Sequence, residues 1–354
     1  MTALSAPAPI AWPDAGRRAA FERWLAPLVA AHGLDPATLA PASSDASFRR
    51  YFRLAARDST LIVMDAPPPH EDVRPFVAVA ERLAAAGLHV PRLLAVDLDA
   101  GFVLMTDLGR ETYLDALRSA DAPRADRLMR DAIAALVQMQ CRVDPAALPP
   151  YDDALLRREL ALFPEWCVGR EFGVVWNRAE TAAWQRIVEM LVANALAQPR
   201  VAVHRDWMPR NLMVAQPNPG VLDFQDAVAG PITYDLASLL RDAYLSWDEE
   251  RELDWAVRWW QSARAAGLPL GEVCADDFGE LWRALEWMGL QRHLKVLGVF
   301  CRLKHRDAKP AYAADLPRFF RYASRVAWRY PPLSPLASLL EPLSGERIES
   351  ALTF

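Results

Sequence analysis

Two short β-branched runs joined by a polar loop constrain this chain more than any other stretch. In VAVHRDWMPRNLMVAQPNPGVLDFQD, residues 201–226, the first run delivers His204 and Asp206 to a strand end. Asn211 follows five residues after that Asp, and the second apolar run ends at Asp223-Phe224. Short apolar runs bounded by turn residues read as buried strands. The fold must therefore bring two strand ends together so that two carboxylates and an amide share one spot. A lone H-x-D most often marks a strand end or a metal ligand, and the bland reading is a polar loop between buried strands. Fixing four residue types in one order and spacing is far rarer by chance.

Phosphoryl transfer from a nucleotide is the chemistry that wants this set. One carboxylate must orient and deprotonate the attacking hydroxyl, and oxygen ligands must hold Mg²⁺ on the phosphates. Mg²⁺ is a hard cation, so Asp and Asn suit it where Cys or His would not. Asp206 fits the base, and Asn211 with Asp223 fits the metal pair. The order H-R-D, then Asn, then D-F is similar to the catalytic loop and metal-binding motif of protein kinases, with Gln225 in place of the usual Gly. Two other classes stay open: a nucleotide-binding module without activity, and a metal-dependent hydrolase using His204, Asp206, Asp223 and Asp226.

The 354 residues suffice for two lobes, and 53% hydrophobic content gives a sizeable core. A net charge of -5 without long one-sign blocks argues against nucleic acid as partner. The four cysteines stand singly, which reads as reduced thiols. No basic-then-apolar leader and no 18-residue uncharged apolar run is present, so the expectation is a cytoplasmic protein with no membrane partner, monomeric or weakly oligomeric.

Phe21, Trp24, Leu25, Leu28 and Val29 have helical spacing, with Pro27 a kink and Gly33 a stop. Next comes a hairpin: a small-residue turn (Ser43, Ser44, Asp45, Ala46, Ser47), a strand from Phe48 to Leu54, and a strand from Leu61 to Met64. Small side chains at a hairpin tip are what a lid over phosphates requires, because backbone N–H groups must approach the oxygens closely. A helix from Glu71 to Gly87 and strands Leu93 to Val96 and Phe102 to Thr106 follow. Beyond Gly109 the pattern turns helical: 111–118, 124–141, a single helix over 152–167, 181–196, 234–244, then Trp-rich helices whose aromatics read as core. This switch divides the chain into an N-terminal lobe, 1–107, and a helical C-terminal lobe, 108–354. The tail after Tyr330 is Pro-rich, then short and apolar.

With these residues quoted, the chain resembles the aminoglycoside phosphotransferase and choline kinase-like superfamily. The resemblance runs from about Pro41 to Tyr330 and is strongest in VHRDWMPRNLMV, VLDFQDAVAGPITYDLASLL and FVLMTDLG. It implies an α+β, two-lobed protein-kinase-like fold with a small β-rich N-lobe and a mainly helical C-lobe, using ATP and Mg²⁺. It implies Asp206 as catalytic base, Asn211 and Asp223 as metal ligands, and Asp235 as a brace of the catalytic loop. Adenine would pair with the carbonyl of Thr106 and the amide of Leu108, with Met105 lining the pocket. The phosphates would lie under Ser43, Ser44, Asp45 and Ser47, with Arg49 nearby. SSDASFRRYFRL and IVMDAPP look like the branch of bacterial sugar kinases that act on the anomeric hydroxyl of N-acetylmuramate and N-acetylglucosamine in cell-wall recycling. The implied product is an α-1-phosphate. Kinases of other small hydroxylated molecules, such as an aminoglycoside, choline or homoserine, are the nearest alternatives.

One departure matters. Kinase-like proteins usually carry a Lys on the third N-lobe strand, and IVMDAP has none. Arg49, Arg50 and Arg53 are candidate replacements; alternation puts Arg49 and Arg53 on one strand face and Arg50 on the other. Glu71 or Glu81 could partner such a cation. A carboxylate on the substrate would want Arg, preferably bidentate, and Arg210, Arg241 and Arg292, with Asp226, are the candidate substrate residues.

Overall fold

The computed structural model describes residues 10–44, 48–68 and 70–344. The chain forms two compact units, residues up to Glu111 together with Met213–Asp226, and Thr112–Leu212 together with the rest from Ala227. Residues 213–226, grouped with the helical part on sequence, thus cluster with the first unit.

The first unit opens with α1 (Ala15–His32), which starts where Asp14 accepts the Arg17 N–H and stops at Gly33 with φ +62°. Such a left-handed cap suits Gly. Pro27 lies inside the helix without ending it. Strand β1 (Leu34–Ser44) was not anticipated, because Pro36 and Pro41 read as breaks. It is the edge of a five-stranded sheet ordered β1-β2-β3-β5-β4, and its pairing slips between Asp35 and Ala40 and again between Pro41 and Ser43. Edges and bulges are where a strand tolerates Pro.

The hairpin β2 (Arg50–Ala56) and β3 (Ser59–Asp65) is antiparallel and in register. The first of these strands begins at Arg50, later than the sequence reading, and Phe48 is left exposed. Then come α2 (Arg74–Ala85), β4 (Leu93–Asp97) and β5 (Phe102–Thr106). The β4–β5 turn needs Gly101: its φ is +71°, and a Cβ would sit 2.0 Å from the Ala66 carbonyl oxygen. Alternate residues Phe52 and Leu54, Leu61 and Val63, Phe102 and Leu104 form one buried sheet face with Phe21 and Leu25 of α1. Each such side chain contributes about 1.5–3 kcal/mol by leaving water.

The second unit begins with α3 (Tyr113–Ser119), started by a reciprocal Thr112–Asp115 cap, and α4 (Ala122–Arg142). The expected single helix over 152–167 is two elements: α5 (Asp153–Leu162) and a π-helical stretch over Phe163–Glu171. Pro164 supplies no N–H to an α-helical ladder. At the junction the later helix comes so close that a Cβ on Gly298 would lie 2.4 Å from the Leu162 carbonyl carbon. Next are α6 (Arg178–Ala197), capped by Asn177 and Glu180, and β6 (Arg200–Val203).

The chain crosses into the first unit within β7 (Leu212–Met213), which pairs with β8 (Gly220–Val221). It returns in β9 (Val228–Pro231), the antiparallel partner of β6. Helices α7 (Tyr234–Leu240), α8 (Glu249–Ala265), α9 (Glu272–Asp276), α10 (Phe278–His305), α11 (Leu316–Arg329) and α12 (Ser334–Ser344) complete the unit. Trp255, Trp259, Trp282 and Trp287 are buried, as their helical spacing predicts. The tail is more ordered than its prolines suggest, with Leu336, Leu339, Leu340 and Leu343 of α12 buried. No described helix is long and apolar enough to cross a membrane.

Candidate active site

In the second unit, Val201, Ala202 and Val203 are buried and carry the chain straight to the site. The backbone then turns sharply: Arg205 adopts φ +76°, a conformation that costs a non-glycine residue on the order of 1–3 kcal/mol. Asp235, in the first turn of α7, holds this turn by accepting the N–H of His204 at 2.6 Å and of Arg205 at 2.9 Å. Burial pushes the Asp235 carboxyl up to about 7, against the pull of those two amides. The Arg205 guanidinium is tied to Glu159, which also accepts from the Tyr151 hydroxyl and lies 3.3 Å from Lys295 Nζ. The His204 ring is buried edge-on against Trp207, and its Nδ1 accepts the Asp206 N–H at 3.3 Å. It supports the loop.

Asp206 stands at the end of this scaffold with 39% of its side-chain surface exposed. Arg292 Nη2 of α10 is 3.9 Å from Asp206 Oδ1. Enclosure by protein would raise the Asp206 carboxyl, but Lys295, Arg292, His204 and Arg205 outweigh it and hold it below the ordinary Asp value. The group is therefore an ionised acceptor at neutral pH. Asn211 is buried, and its amide Nδ2 donates to the Asp206 carbonyl at 3.0 Å.

In the first unit, Asp223 also takes a left-handed backbone, φ +62°. Gln225, standing where kinases usually carry Gly, donates from Nε2 to Asp223 Oδ1 at 2.9 Å and so orients that carboxylate. Phe224 between them is buried and stacks on Phe76 of α2 at 4.9 Å. The stretch after β5 is braced from the sheet. Asp107 accepts from Arg53 Nη2 at 2.9 Å, Thr60 Oγ1 at 2.6 Å and the Gly109 N–H at 3.0 Å, while Arg53 also reaches the Gly109 carbonyl at 2.7 Å. Thr106 Oγ1 accepts the Arg92 N–H at 2.9 Å. Met105 is buried, and Leu108 packs so tightly on β8 that a Cβ on Gly220 would lie 2.9 Å from it. The backbone proposed to read adenine is thus held rigid within its own unit.

The three candidate cations meet three different acids. Arg50, with Arg17 of α1, is consumed by the buried Asp65. Arg53 is consumed by the Asp107 brace. Arg49 Nε lies 3.7 Å from Glu71, which also accepts the Phe48 N–H at 3.1 Å. Of the two acids considered, Glu71 is the one that meets an arginine of this trio.

Ser43 and Ser44 end β1 rather than forming a turn, and Asp45 and Ser47 lie outside the described residues. Arg210 is exposed and donates to the Tyr244 hydroxyl at 2.8 Å. Asp226 is exposed. Arg241 needs correction: it is 3% exposed, with Nε 3.0 Å from Glu252 and Nη2 2.8 Å from Glu286, so these contacts tie helices together. Sequence reasoning missed Glu159, Lys295 and Asp107. Lys295 had a signal, since it follows Arg292 by one helical turn and shares its face.

The family model described as phosphotransferase enzyme family matches residues 38–274. A Pseudomonas aeruginosa protein named N-acetylmuramate/N-acetylglucosamine kinase is 55% identical over 311 residues, 88% of this chain and 90% of that protein. A Neisseria meningitidis protein of the same name is 45% identical over 341 residues, 96% and 99% of the two chains. Among solved structures, the choline kinase LicA from Streptococcus pneumoniae superposes with TM-score 0.57 at 12% identity, covering 88% of this chain and all of that one. That last likeness speaks for the fold.

Proposed function

This chain belongs to the phosphotransferase enzyme family, and from that premise we propose that it is an ATP-dependent kinase of the anomeric hydroxyl of N-acetylmuramate or N-acetylglucosamine. The observation that carries this reading is the 55% identity, over nearly the whole chain, to an enzyme named for those two sugars.

Asp206 is the base. It accepts the proton of the sugar O1 hydroxyl as O1 bonds to the γ-phosphorus and the bond from that phosphorus to the β,γ-bridging oxygen breaks; the proton then passes to solvent. The neighbouring cations weaken Asp206 as a base, which suits a hemiacetal hydroxyl, a stronger acid than an ordinary alcohol. Arg205 and Asp235 keep the loop still, so less motion must be frozen as the hydroxyl is aligned. The Thr106 carbonyl and Leu108 amide take the adenine edge beside Met105, and the stretch from Ser43 to Ser47, with Arg49, attends the phosphates.

Asn211 and Asp223 suit Mg²⁺ in donor chemistry. Asn211 turns its amide nitrogen to the loop, so its ligating atom would be Oδ1, and Gln225 fixes the Asp223 carboxylate. The ion, when bound, supplies charge neutralisation on the phosphates.

Phosphorus NMR of the product formed from N-acetylmuramate and ATP tests the proposal. A signal coupled to the anomeric proton is expected. Phosphate on another oxygen, or release of inorganic phosphate with the sugar unchanged, would overturn it.

A further inference from the structure

The catalytic loop carries a cation that the mechanism above does not use. Arg210 lies in the short turn Pro209–Asn211, four residues after Asp206, and is exposed. That turn is wound tightly on the base. The Asp206 carbonyl accepts the Met208 N–H at 2.9 Å and Asn211 Nδ2 at 3.0 Å, and the Met208 carbonyl accepts the Asn211 N–H at 2.9 Å. Arg205, Arg241 and Arg292 each meet a carboxylate, whereas Arg210 meets none among the described residues. Its polar neighbours are tyrosines instead.

Arg210 Nη1 donates to the Tyr244 hydroxyl at 2.8 Å, with the guanidinium carbon 5.4 Å from the centre of that ring. Partial enclosure pulls the guanidinium down, and the hydroxyls of Tyr244 and Tyr312 outweigh it, so both phenols stand at this arginine. Each ring is held from behind. Buried Asp242 accepts the N–H groups of Tyr244 at 3.0 Å and Leu245 at 3.2 Å, and Tyr312 packs on Phe300 of α10 at 5.2 Å. Tyr244 and Tyr312 are only partly buried, so the cluster opens to solvent. Its contacts also lead back to the base. Burial pushes the Asp242 carboxyl up while the Tyr244 amide and the Arg292 guanidinium draw it down, and Arg292 Nη2 is 3.9 Å from Asp206 Oδ1. Arg210 and Asp206 are therefore joined twice, along the loop and through the Tyr244 turn.

We propose that Arg210, with the Tyr244 and Tyr312 hydroxyls, receives the carboxylate of the lactyl group of N-acetylmuramate. A guanidinium presents parallel N–H donors to the two oxygens of a carboxylate, and a phenol that accepts from the arginine still has its own proton to donate. Exposure matters as much as charge, because a ligand can reach this cluster and water solvates it until one arrives. The lactyl ether stands on the ring carbon two removed from the anomeric one. A sugar whose anomeric hydroxyl meets Asp206 thus carries its carboxylate close by, within reach of a residue of the same tight loop. N-acetylglucosamine lacks the group and leaves Arg210 to its tyrosines. The inference rests on the sugar-kinase reading and adds to it how the acidic sugar is told from the neutral one.

The test measures kcat/KM for N-acetylmuramate and for its methyl ester in wild type, Arg210→Gln, Arg210→Lys and Tyr244→Phe. Esterification removes the charge at nearly constant size, so the acid-to-ester ratio reports the contact whatever a variant does to turnover as a whole. Wild type should favour the acid by about 10- to 100-fold, expressed mainly in KM. Arg210→Gln should bring the ratio to about 1, Arg210→Lys should keep part of it as a point charge without the planar fork, and Tyr244→Phe should lower it about 3-fold. A wild type indifferent to esterification would overturn the inference. So would equal losses on acid and ester in Arg210→Gln, which would make the residue a structural part of the loop. Should wild type phosphorylate neither N-acetylmuramate nor N-acetylglucosamine, the function proposed above would fall, and this inference with it; activity on both sugars with an unmoved ratio would overturn this inference alone.

Discussion

Asp65 in the first unit and Asp206 in the second are both aspartates beside cations, and the two are used in opposite ways. Asp65 is wholly buried; Arg17 Nε donates to its Oδ1 at 2.9 Å and Arg50 caps its Oδ2. Those arginines are themselves held, Arg17 by the Ala100 carbonyl and the Phe102 ring, Arg50 by the Ala11 carbonyl and the Trp12 ring. Both oxygens of the Asp65 carboxylate are thus filled. Asp206 instead keeps 39% of its side chain exposed, with Arg292 at 3.9 Å and Lys295 turned toward Glu159. There the cations act through charge while the carboxylate stays partly exposed. Saturation marks architecture; charge without saturation marks a group kept for chemistry.

The sharpest way to break that contrast is to neutralise each carboxylate in turn. Asp206→Asn should lower kcat by about 10² to 10⁴ with ATP binding and melting temperature nearly unchanged. Coupled turnover assays and nucleotide titration read both, and full activity would remove Asp206 from its role. Asp65→Ala should do the reverse. Stranding two guanidinium groups should destabilise the fold by about 3–5 kcal/mol in urea titration, with kcat of the folded fraction preserved. Lost turnover at retained stability would erase the distinction.

Asp107→Asn probes a case in between, a saturated group that shapes a binding backbone. It should raise KM for ATP by about 10-fold, equivalent to roughly 1–1.5 kcal/mol, and leave KM for the sugar alone. A smaller effect is expected in pH profiles. Because the base must be ionised and its carboxyl is held below the ordinary Asp value, Asp206 should give no acid limb in kcat/KM at pH 5 and above. Arg292→Gln, by removing one of the charges responsible, should move that limb upward; an unmoved limb would mean Arg292 does not tune the base.

The smallest effect concerns His293. Burial, with Arg292 and Arg241, holds its imidazole well below the usual 6.5, so it is neutral in the folded protein. The unfolded chain takes up a proton there as pH falls below 6.5, so this contribution to stability is present above that pH and lost below it. Relative to His293→Phe, wild type should lose up to about 1.4 kcal/mol per pH unit between pH 6 and 5 in thermal melts. Parallel curves would refute the assignment.

What the sequence disclosed follows from where the signal resides. The strands of the hairpin and the loop from His204 to Asn211 are legible because their burial period and spacing are local. The family reading was likewise carried by contiguous strings. Strand β1 was illegible because its prolines argue against pairing, and only its edge position permits them. The π-helical stretch hid because apolar spacing alone does not register a widened turn. Glu159 and Lys295 were missed because tertiary packing, not spacing, brings them to the loop. Arg241 was misassigned for the same reason: its buried acids, Glu252 and Glu286, are far along the chain.

The double crossing at Met213 and Asp226 has a consequence for biogenesis. Leu108 rests on Gly220 and Phe76 on Phe224, so a fragment ending at Glu111 would present bare apolar surface at both places. During translation the amino-terminal unit stays incomplete until the ribosome has passed residue 226, although its five-stranded sheet has by then been made in full. Expression truncations and split-protein designs should cut elsewhere.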